Sequence, residues 1–161
     1  MALHIFTTGG TIDKVYFDAK SEYKVGEPQI ANILREANVT VDYVVTTLMQ
    51  KDSLNMTDED RALIARRVQN AEARHVVLTH GTDTMADTAR ALQAVVEDKT
   101  VVLVGALNPA RFKESDAVFN IGFALAAAQT LPPGTYLTMN GQVFDPEFVC
   151  KNRAENQFER M

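Results

Sequence analysis

The chain has 161 residues, of which 46% are hydrophobic and 23% charged, as is usual for a single globular domain. Its net charge of −5 argues against nucleic acid or an anionic membrane as a partner. One cysteine, Cys150, excludes an intrachain disulfide, and with three histidines it leaves no Cys/His zinc pattern. A reduced thiol is typical of the cytoplasm, and no basic and apolar leader precedes Leu3. We therefore expect a cytoplasmic protein with one domain over residues 1–161.

Short β-branched segments alternate with segments of helical periodicity along the chain. The β-branched segments predict buried strands at residues 3–7, 39–47, 75–79 and 100–104. Apolar residues at helical spacing predict four helices: Ile30, Ile33, Leu34 and Ala37, with Pro28 in the first turn; Ile64, Val68 and Ala71, begun by a capping box of Thr57 and Asp60; Met85, Ala89, Leu92 and Val96; and Val118, Ile121, Leu125 and Ala128, capped by Ser115 or Asp116.

This alternation predicts a mainly parallel sheet with right-handed crossovers and helices on both faces. Near the end of the chain, Asn140 and Gly141 predict a type I′ turn that joins strands at 135–139 and 142–144. In such α/β folds, ligands bind beyond the carboxyl ends of the strands. The loops that follow the predicted strands are therefore the candidates for a functional site.

The first of these loops has the sequence TTGGTI at 7–12. Adjacent glycines allow positive φ angles and let backbone N–H groups converge on an anion. A hydroxyl held there, that of Thr11, can attack a carbonyl whose oxygen accepts hydrogen bonds from those groups. A glycine-rich turn that binds phosphate explains the loop equally well.

The second loop, HGTDTM at 80–85, offers a hydroxyl in Thr82 and a carboxylate in Asp83 that can hold a substrate ammonium. Either residue is also suited to capping the helix that follows. His80 is more typical of a packed loop residue than of a catalytic base. The third loop, at 50–56, is polar and carries Asp52, Ser53 and Asn55.

Together these loops resemble the bacterial-type L-asparaginase family. TTGGTID at 7–13 is similar to the first signature of that family, and HGTDTM at 80–85 is similar to the second. Four more segments resemble the family in the same order: SEYKVG at 21–26 its mobile tyrosine loop, DSLNMT at 52–57 its substrate-binding serine segment, VGALNP at 104–109 its GAMRP-like stretch, and VCKN at 149–152 its catalytic lysine segment. Ordered matches along nearly the whole chain make a chance resemblance improbable.

The resemblance implies a three-layer, flavodoxin-like α/β fold. It also implies hydrolysis of L-asparagine to L-aspartate and ammonia through a threonine nucleophile and an acyl-enzyme, without metal or organic cofactor. By the same resemblance, Thr11 is the nucleophile and Tyr23 is its activating partner on a lid. Thr82 and Lys151 form a second hydroxyl–amine pair, and Asp83 completes the catalytic set.

The resemblance also implies how the substrate is held. Asp83 binds the α-ammonium, Ser53 helps to bind the α-carboxylate, and Ala106 holds a water or the amide through its backbone carbonyl, while Gly10 and Gly81 line the site. The segment 14–25, which carries Tyr23, lacks core periodicity and is expected to be a mobile lid. Without the resemblance, Tyr23 is better explained as a surface aromatic in a flexible loop, and Lys151 as a solvated lysine.

Two features depart from the family pattern. Members are commonly about twice this length and have a smaller second domain that completes the site of a neighbouring subunit. The chain is therefore expected to be a short single-domain form or a fragment, and to form homo-oligomers. Leu54 stands where larger extracellular members have a glutamine that contacts the substrate.

Two functions other than hydrolysis of L-asparagine remain open. One is a related amidase that acts on glutamine or a modified asparagine, and the other is a non-catalytic small-molecule-binding or regulatory module on the same fold.

Overall fold

The structure is a computed structural model that describes residues 2–17 and 20–161. Strands and helices alternate along most of this length. In chain order they are β1 Ala2–Gly9, β2 Lys14–Phe17, β3 Glu22–Val25, α1 Ile30–Glu36, β4 Asp42–Lys51, α2 Asp58–Asn70, β5 His75–Thr79, α3 Met85–Gln93, β6 Thr100–Val104, α4 Ala117–Thr130, β7 Gly134–Met139, β8 Gln142–Phe144, β9 Val149–Asn152 and β10 Gln157–Arg160.

The central sheet contains six strands in the order β4-β1-β5-β6-β7-β8. The first five are parallel, and β8 pairs with β7 in the antiparallel sense. Among the parallel strands, β4 lies on one side of β1, and β5, β6 and β7 follow in that order on its other side. This is the flavodoxin-like order. The predicted fold class is thus confirmed. The order reverses between β1 and β5, and in open α/β sheets the crevice outside the carboxyl ends of the strands at such a reversal is where ligands bind.

Alternating side chains of the sheet supply two apolar cores. Val76 and Leu78 of β5 pack with α2 and α3 on one face. Val77, between them, packs with α1 and α4 on the other face. Because both faces of the parallel strands are covered, nearly every residue of β5 and β6 is buried. These cores hold the carboxyl ends of the strands in fixed positions.

Local sequence signals explain where several elements begin and turn. The capping box of Thr57 and Asp60 forms as predicted, with hydrogen bonds in both directions. The turn between β7 and β8 has φ angles of 49° at Asn140 and 88° at Gly141, which suits the predicted type I′ geometry. In contrast, Pro28 precedes α1, which begins at Ile30, so its predicted place in the first helical turn is wrong.

The buried face of α4 was predicted in part wrongly. Val118 exposes 58% of its surface, whereas Ala117, Ile121 and Ala124 face the sheet. The helix is apolar around most of its circumference, so hydrophobic periodicity alone does not distinguish its two faces.

Two small antiparallel ribbons flank the carboxyl edge. The ribbon of β2 and β3 carries Tyr23, so most of the expected lid is a hairpin and not an irregular loop. Residues 18 and 19 of that segment lie outside the described residues. The ribbon of β9 and β10 carries Lys151. Within the described part of the chain, no helix is long and apolar enough to cross a membrane.

Candidate active site

Three loops meet at the crevice through close glycine contacts. The N–H group of Gly10 donates a hydrogen bond of 2.9 Å to the carbonyl of Lys51. A Cβ on Gly10 would lie 2.4 Å from the Cα of Gly81, and a Cβ on Gly81 would lie 2.7 Å from the Oγ of Ser53. Only glycine therefore permits this approach of the three backbones. The structure brings together the three loops that the sequence singles out.

Thr11 begins a turn of 3₁₀ helix immediately after the glycine pair. Two backbone hydrogen bonds fix this turn: Asp13 N–H donates to the Gly10 carbonyl at 3.1 Å, and Ala110 N–H donates to the Ile12 carbonyl at 3.0 Å. The side chain of Thr11 is half-buried. Across residues 2–17 and 20–161, no hydrogen-bond partner is found for its hydroxyl. A hydroxyl held by a fixed turn and unengaged within the protein is suited to meet a ligand.

Thr82, Asp83 and Lys151 form a polar cluster across the crevice. Lys151 Nζ donates hydrogen bonds to Thr82 Oγ1 at 2.7 Å and to Asp83 Oδ1 at 2.9 Å. Arg153 Nε lies 3.7 Å from the same carboxylate oxygen. Lys151 reaches the cluster from β9, near the far end of the chain, and most of its side chain is buried. The predicted pairing of Thr82 with Lys151 is therefore present in the geometry.

Ser53 lies beneath the second loop and exposes 1% of its surface. Its Oγ accepts a hydrogen bond of 3.3 Å from Thr84 N–H, and its carbonyl accepts one of 2.9 Å from the Thr84 hydroxyl. The same turn is capped by Asp52, whose carboxylate accepts from Leu54 N–H at 3.0 Å. Ser53 thus connects two loops of the site, and its hydroxyl oxygen serves there as an acceptor.

The loop that contains Ala106 is held from behind by Asp116. The carboxylate of Asp116 accepts hydrogen bonds from the N–H groups of Leu107 at 3.0 Å and Asn108 at 3.1 Å. Burial alone would raise the pKa of Asp116, but these bonds and one from Asn140 outweigh it and lower the pKa. Asn120 adds a bond of 3.0 Å to the Gly105 carbonyl. The Ala106 backbone is therefore held beside the second loop by a fixed ionised carboxylate.

Tyr23 stands on the ribbon of β2 and β3, where its ring packs 5.3 Å from that of Tyr16 and 5.8 Å from that of Phe112. In the described residues, no hydrogen bond joins its hydroxyl to Thr11. The structure therefore brings Thr11 close to the second loop, whereas the hydroxyl of Tyr23 is not hydrogen-bonded to Thr11 in the described part of the chain. Lys14 Nζ lies 3.3 Å from Asp52 Oδ2, and this ion pair ties the ribbon to the Ser53 turn. A cavity of about 540 Å³ lies between them.

Two buried titratable residues support the loops. His80 is fully buried; its Nδ1 lies 2.7 Å from the Gly81 carbonyl and its Nε2 lies 2.8 Å from Thr88 Oγ1. Burial lowers the pKa of His80 to about 4, so the ring is neutral and packed, as predicted. Burial raises the pKa of Asp13 to about 6, although the Gln29 N–H and Arg111 act in the opposite direction. The hydrogen bonds and burial of His80 and Asp13 account for their positions without a direct role in catalysis.

Several residues of the site were not identified from the sequence as functional. Thr84, Asp116 and Asp13 hold the loops in place through hydrogen bonds, and Arg153 lies next to Asp83. Asp116 was considered only as a helix cap, and Asp13 lies inside the first signature without a distinct pattern of its own. Their roles depend on contacts between distant segments, which spacing along one chain does not reveal. Within the described residues, no group of three His, Cys, Asp or Glu side chains could hold a metal ion.

Comparison with known proteins agrees with this arrangement. The family model described as "Asparaginase, N-terminal" matches residues 2–159. The chain is 34% identical to L-asparaginase 2 of Escherichia coli, over 93% of this chain and 46% of that protein. It is 31% identical to the glutaminase-asparaginase of Acinetobacter glutaminasificans, over 91% of this chain and 48% of that protein. The solved thermostable L-asparaginase from Thermococcus kodakarensis superposes with a TM-score of 0.87 and 29% identity, covering 100% of this chain and 51% of that one.

The chain thus spans about half the length of the curated relatives it matches. Because the family model covers nearly all of its residues, the resemblance seen in the sequence is confirmed. This chain belongs to the asparaginase N-terminal domain family.

Proposed function

We propose that the chain is an amidohydrolase that converts L-asparagine to L-aspartate and ammonia through a threonine nucleophile. The observation that carries this proposal is the contact of Lys151 with both Thr82 and Asp83, on the loop whose Gly81 touches Gly10. The contact assembles a hydroxyl, an amine and a carboxylate next to the turn of Thr11. Similar proteins that are named L-asparaginases support the same substrate.

In this proposal the substrate lies between the first and second loops. Asp83 binds the α-ammonium through its carboxylate, whose Oδ1 accepts from Lys151 and whose Oδ2 makes no hydrogen bond among residues 2–17 and 20–161. The side-chain amide then points toward Thr11, and its oxygen accepts from backbone N–H groups of the glycine-rich turn other than the Gly10 N–H, which donates to the Lys51 carbonyl. The Ala106 carbonyl accepts from the amide nitrogen or from a water.

The reaction proceeds in two displacements. The hydroxyl oxygen of Thr11 bonds to the amide carbon, the C–N bond breaks, and the departing nitrogen takes one proton and leaves as ammonia. Thr82, which accepts a hydrogen bond from Lys151, donates its hydroxyl proton to the departing nitrogen. Tyr23 is the partner of Thr11 once the ribbon closes, and the proton that Thr11 releases restores the protonation of the Thr82–Lys151 pair. Water then attacks the acyl group, its proton returns to Thr11, and aspartate is released.

Ammonia release from L-asparagine tests this function. The wild-type protein should release ammonia, and Thr11→Ala and Thr82→Ala should each lower kcat on the order of 10³-fold or more, because each removes a member of a reacting set. Thr40→Ala removes a similar hydroxyl from an exposed position and should leave the rate unchanged. Folded wild-type protein that releases no ammonia from asparagine would refute the function. Near-normal turnover by Thr11→Ala would refute the role of Thr11.

A related activity on glutamine is the second candidate, because one of the similar proteins is named a glutaminase-asparaginase. The same assay with glutamine as substrate separates the two. The cytoplasmic location and the homo-oligomeric assembly expected from the sequence remain predictions, and fractionation and light scattering test them. The non-catalytic alternative is disfavoured because Thr11, Thr82, Asp83 and Lys151 are all present and three of them are in direct contact.

A further inference from the structure

We propose that Arg153 binds the α-carboxylate of the substrate and thereby makes the site selective for a free amino acid; this inference rests on the proposed function. A substrate α-carboxylate carries a full negative charge, and it needs donors or a cation when it leaves water. Ser53, which the family resemblance assigns to this task, is buried, and its hydroxyl has one proton to donate. A single hydroxyl donor leaves most of that charge without a partner.

The neighbouring side chain does not fill this need. Leu54 exposes 60% of its surface next to Ser53 and has no polar side-chain atom. Two lysines near the Ser53 turn are already paired: Lys14 with Asp52 at 3.3 Å and Lys51 with Asp60 at 2.7 Å. The remaining cation of the cluster, Lys151, donates to Thr82 and Asp83. A carboxylate bound beside Asp83 therefore meets Arg153 as a cation whose terminal guanidinium nitrogens have no partner among the described residues, since its contact with Asp83 is made by Nε.

Arg153 has the position and chemistry for this contact. It follows Lys151 by two residues in the turn between β9 and β10, and its Nε lies 3.7 Å from Asp83 Oδ1. Within the described parts of the chain, this is its one polar contact. The side chain exposes 64% of its surface, so the terminal nitrogens of the guanidinium can reach a ligand in the crevice. A guanidinium offers a planar pair of donors that matches a carboxylate.

Asp83 and Arg153 together present a negative and a positive group side by side. The α-ammonium and α-carboxylate of an amino acid are the complementary pair, separated by one carbon. The ammonium would lie against Asp83 and the carboxylate against Arg153, with the side chain directed toward Thr11. A substrate with only one of the two charges would leave one protein charge without its partner. This arrangement predicts selection for free amino acids over amides that lack an α-carboxylate.

The test compares Arg153→Ala and Arg153→Lys with wild-type protein on three ligands. L-Aspartate binding is measured by calorimetry, and hydrolysis is measured with L-asparagine and with 3-aminopropanamide, which is asparagine without its α-carboxylate. Arg153→Ala should weaken aspartate binding and raise KM for asparagine about tenfold, the size expected for one hydrogen-bonded charge pair. It should leave kcat/KM for 3-aminopropanamide within about twofold, and Arg153→Lys should restore part of the loss.

Arg74→Ala is the matched control, because it removes the same charge from an exposed position at the opposite end of the sheet. The proposal is overturned if Arg153→Ala binds aspartate as the wild type does, or if wild-type protein does not bind aspartate. An equal loss for asparagine and 3-aminopropanamide also overturns it, because Arg153 would then act on Asp83 and not on the carboxylate. Wild-type protein that binds aspartate but releases no ammonia refutes the proposed function alone, since the binding comparison does not require turnover.

Discussion

At the scale of single residues, Gly10 determines how closely the loops approach. Its φ of 92° lies in the region that favours glycine, and a Cβ there would lie 2.4 Å from the Cα of Gly81. A backbone atom cannot move aside as a flexible side chain can. The contact thus places Thr11 beside Thr82 and Asp83, and it accounts for a glycine in each of the two signatures.

Gly10→Ala should therefore lower the free energy of unfolding by at least about 2 kcal/mol, from unfavourable φ and forced separation of the loops. Gly122→Ala is the control, since a Cβ on Gly122 meets nothing within 4 Å and the residue lies inside α4. That change should stabilise the protein by about 0.5–1 kcal/mol. Urea denaturation measures both. A Gly10→Ala protein as stable as wild type would show that the loops do not pack as closely as described.

Asp13 gives the protein a pH-dependent stability at the base of the Thr11 turn. It exposes 2% of its surface, and its Oδ2 has no hydrogen-bond partner among the described residues. Burial raises its pKa from 3.8 to about 6. Because the folded state then holds the proton more tightly than the unfolded state, stability falls as pH rises from 3.8 to about 6.

Asp13→Asn removes this titration. Relative to wild type, the variant should gain about 3 kcal/mol of unfolding free energy between about pH 3.5 and pH 7. His80 acts in the opposite sense, because its pKa is lowered to about 4 and stability rises with pH up to 6.5, but it is present in both proteins and cancels from the difference. Denaturation across this pH range provides the measurement. A difference between the two proteins that does not change with pH would mean that Asp13 is not buried as described.

At the scale of elements, the ribbon of β2 and β3 is the part of the site most suited to move. It contributes no strand to the central sheet, and its aromatic residues Tyr16 and Tyr23 are exposed. The ion pair of Lys14 with Asp52 joins it to the Ser53 turn at the surface, where one ion pair contributes little stability. The predicted role of Tyr23 requires that this ribbon close over Thr11.

Aspartate binding should accordingly slow amide hydrogen exchange in residues 14–17 and 20–25, because the ligand orders the ribbon. The hairpin of β7 and β8 serves as an internal control for general stabilisation by the ligand. Its exchange should change much less, since it already belongs to the central sheet. If aspartate binds but exchange in the ribbon changes no more than in the control hairpin, Tyr23 does not act on a closing lid.

Most of the elements could be predicted from the sequence, because the physics that forms them is local or periodic. The capping box at Thr57, the turn at Asn140-Gly141 and the β-branched, apolar centre of the strand at His75–Thr79 each carry their own signal. Val118 and the β2–β3 ribbon do not. In a helix that is apolar around most of its circumference, the sequence does not distinguish the face that is buried, and a short polar hairpin lacks a buried side. Contacts such as Arg153 with Asp83 depend on the tertiary fold alone.

At the scale of the whole molecule, the α/β fold places three loops at one edge of the sheet, and the β9–β10 ribbon returns Lys151 to the same edge. The resulting distance from Asp83 to Thr11 is fixed by backbone contacts. A substrate held by its α-groups therefore reaches Thr11 only if its side chain has the right length. In the proposed function, glutamine, with one more methylene, would place its amide carbon beyond Thr11.

We expect a preference for asparagine over glutamine of at least about a hundredfold in kcat/KM, from the extra methylene and the misplaced carbon together. The KM for asparagine should lie near the millimolar end of the ordinary enzyme range, because Leu54 donates no hydrogen bond and Arg153 is largely exposed to solvent. Steady-state kinetics with both amides measure this. Equal efficiency on glutamine, or micromolar saturation by asparagine, would contradict the described pocket.

Detection of the acyl-enzyme tests the threonine mechanism most directly. Wild-type protein is mixed with L-asparagine, quenched in acid during turnover, digested, and analysed by mass spectrometry for a β-aspartyl ester. The ester should appear on the peptide that contains Thr11, should decay when substrate is exhausted, and should be absent from Thr11→Ala. An ester on Thr82, or continued ammonia release by protein that carries no ester on either threonine, would contradict the mechanism.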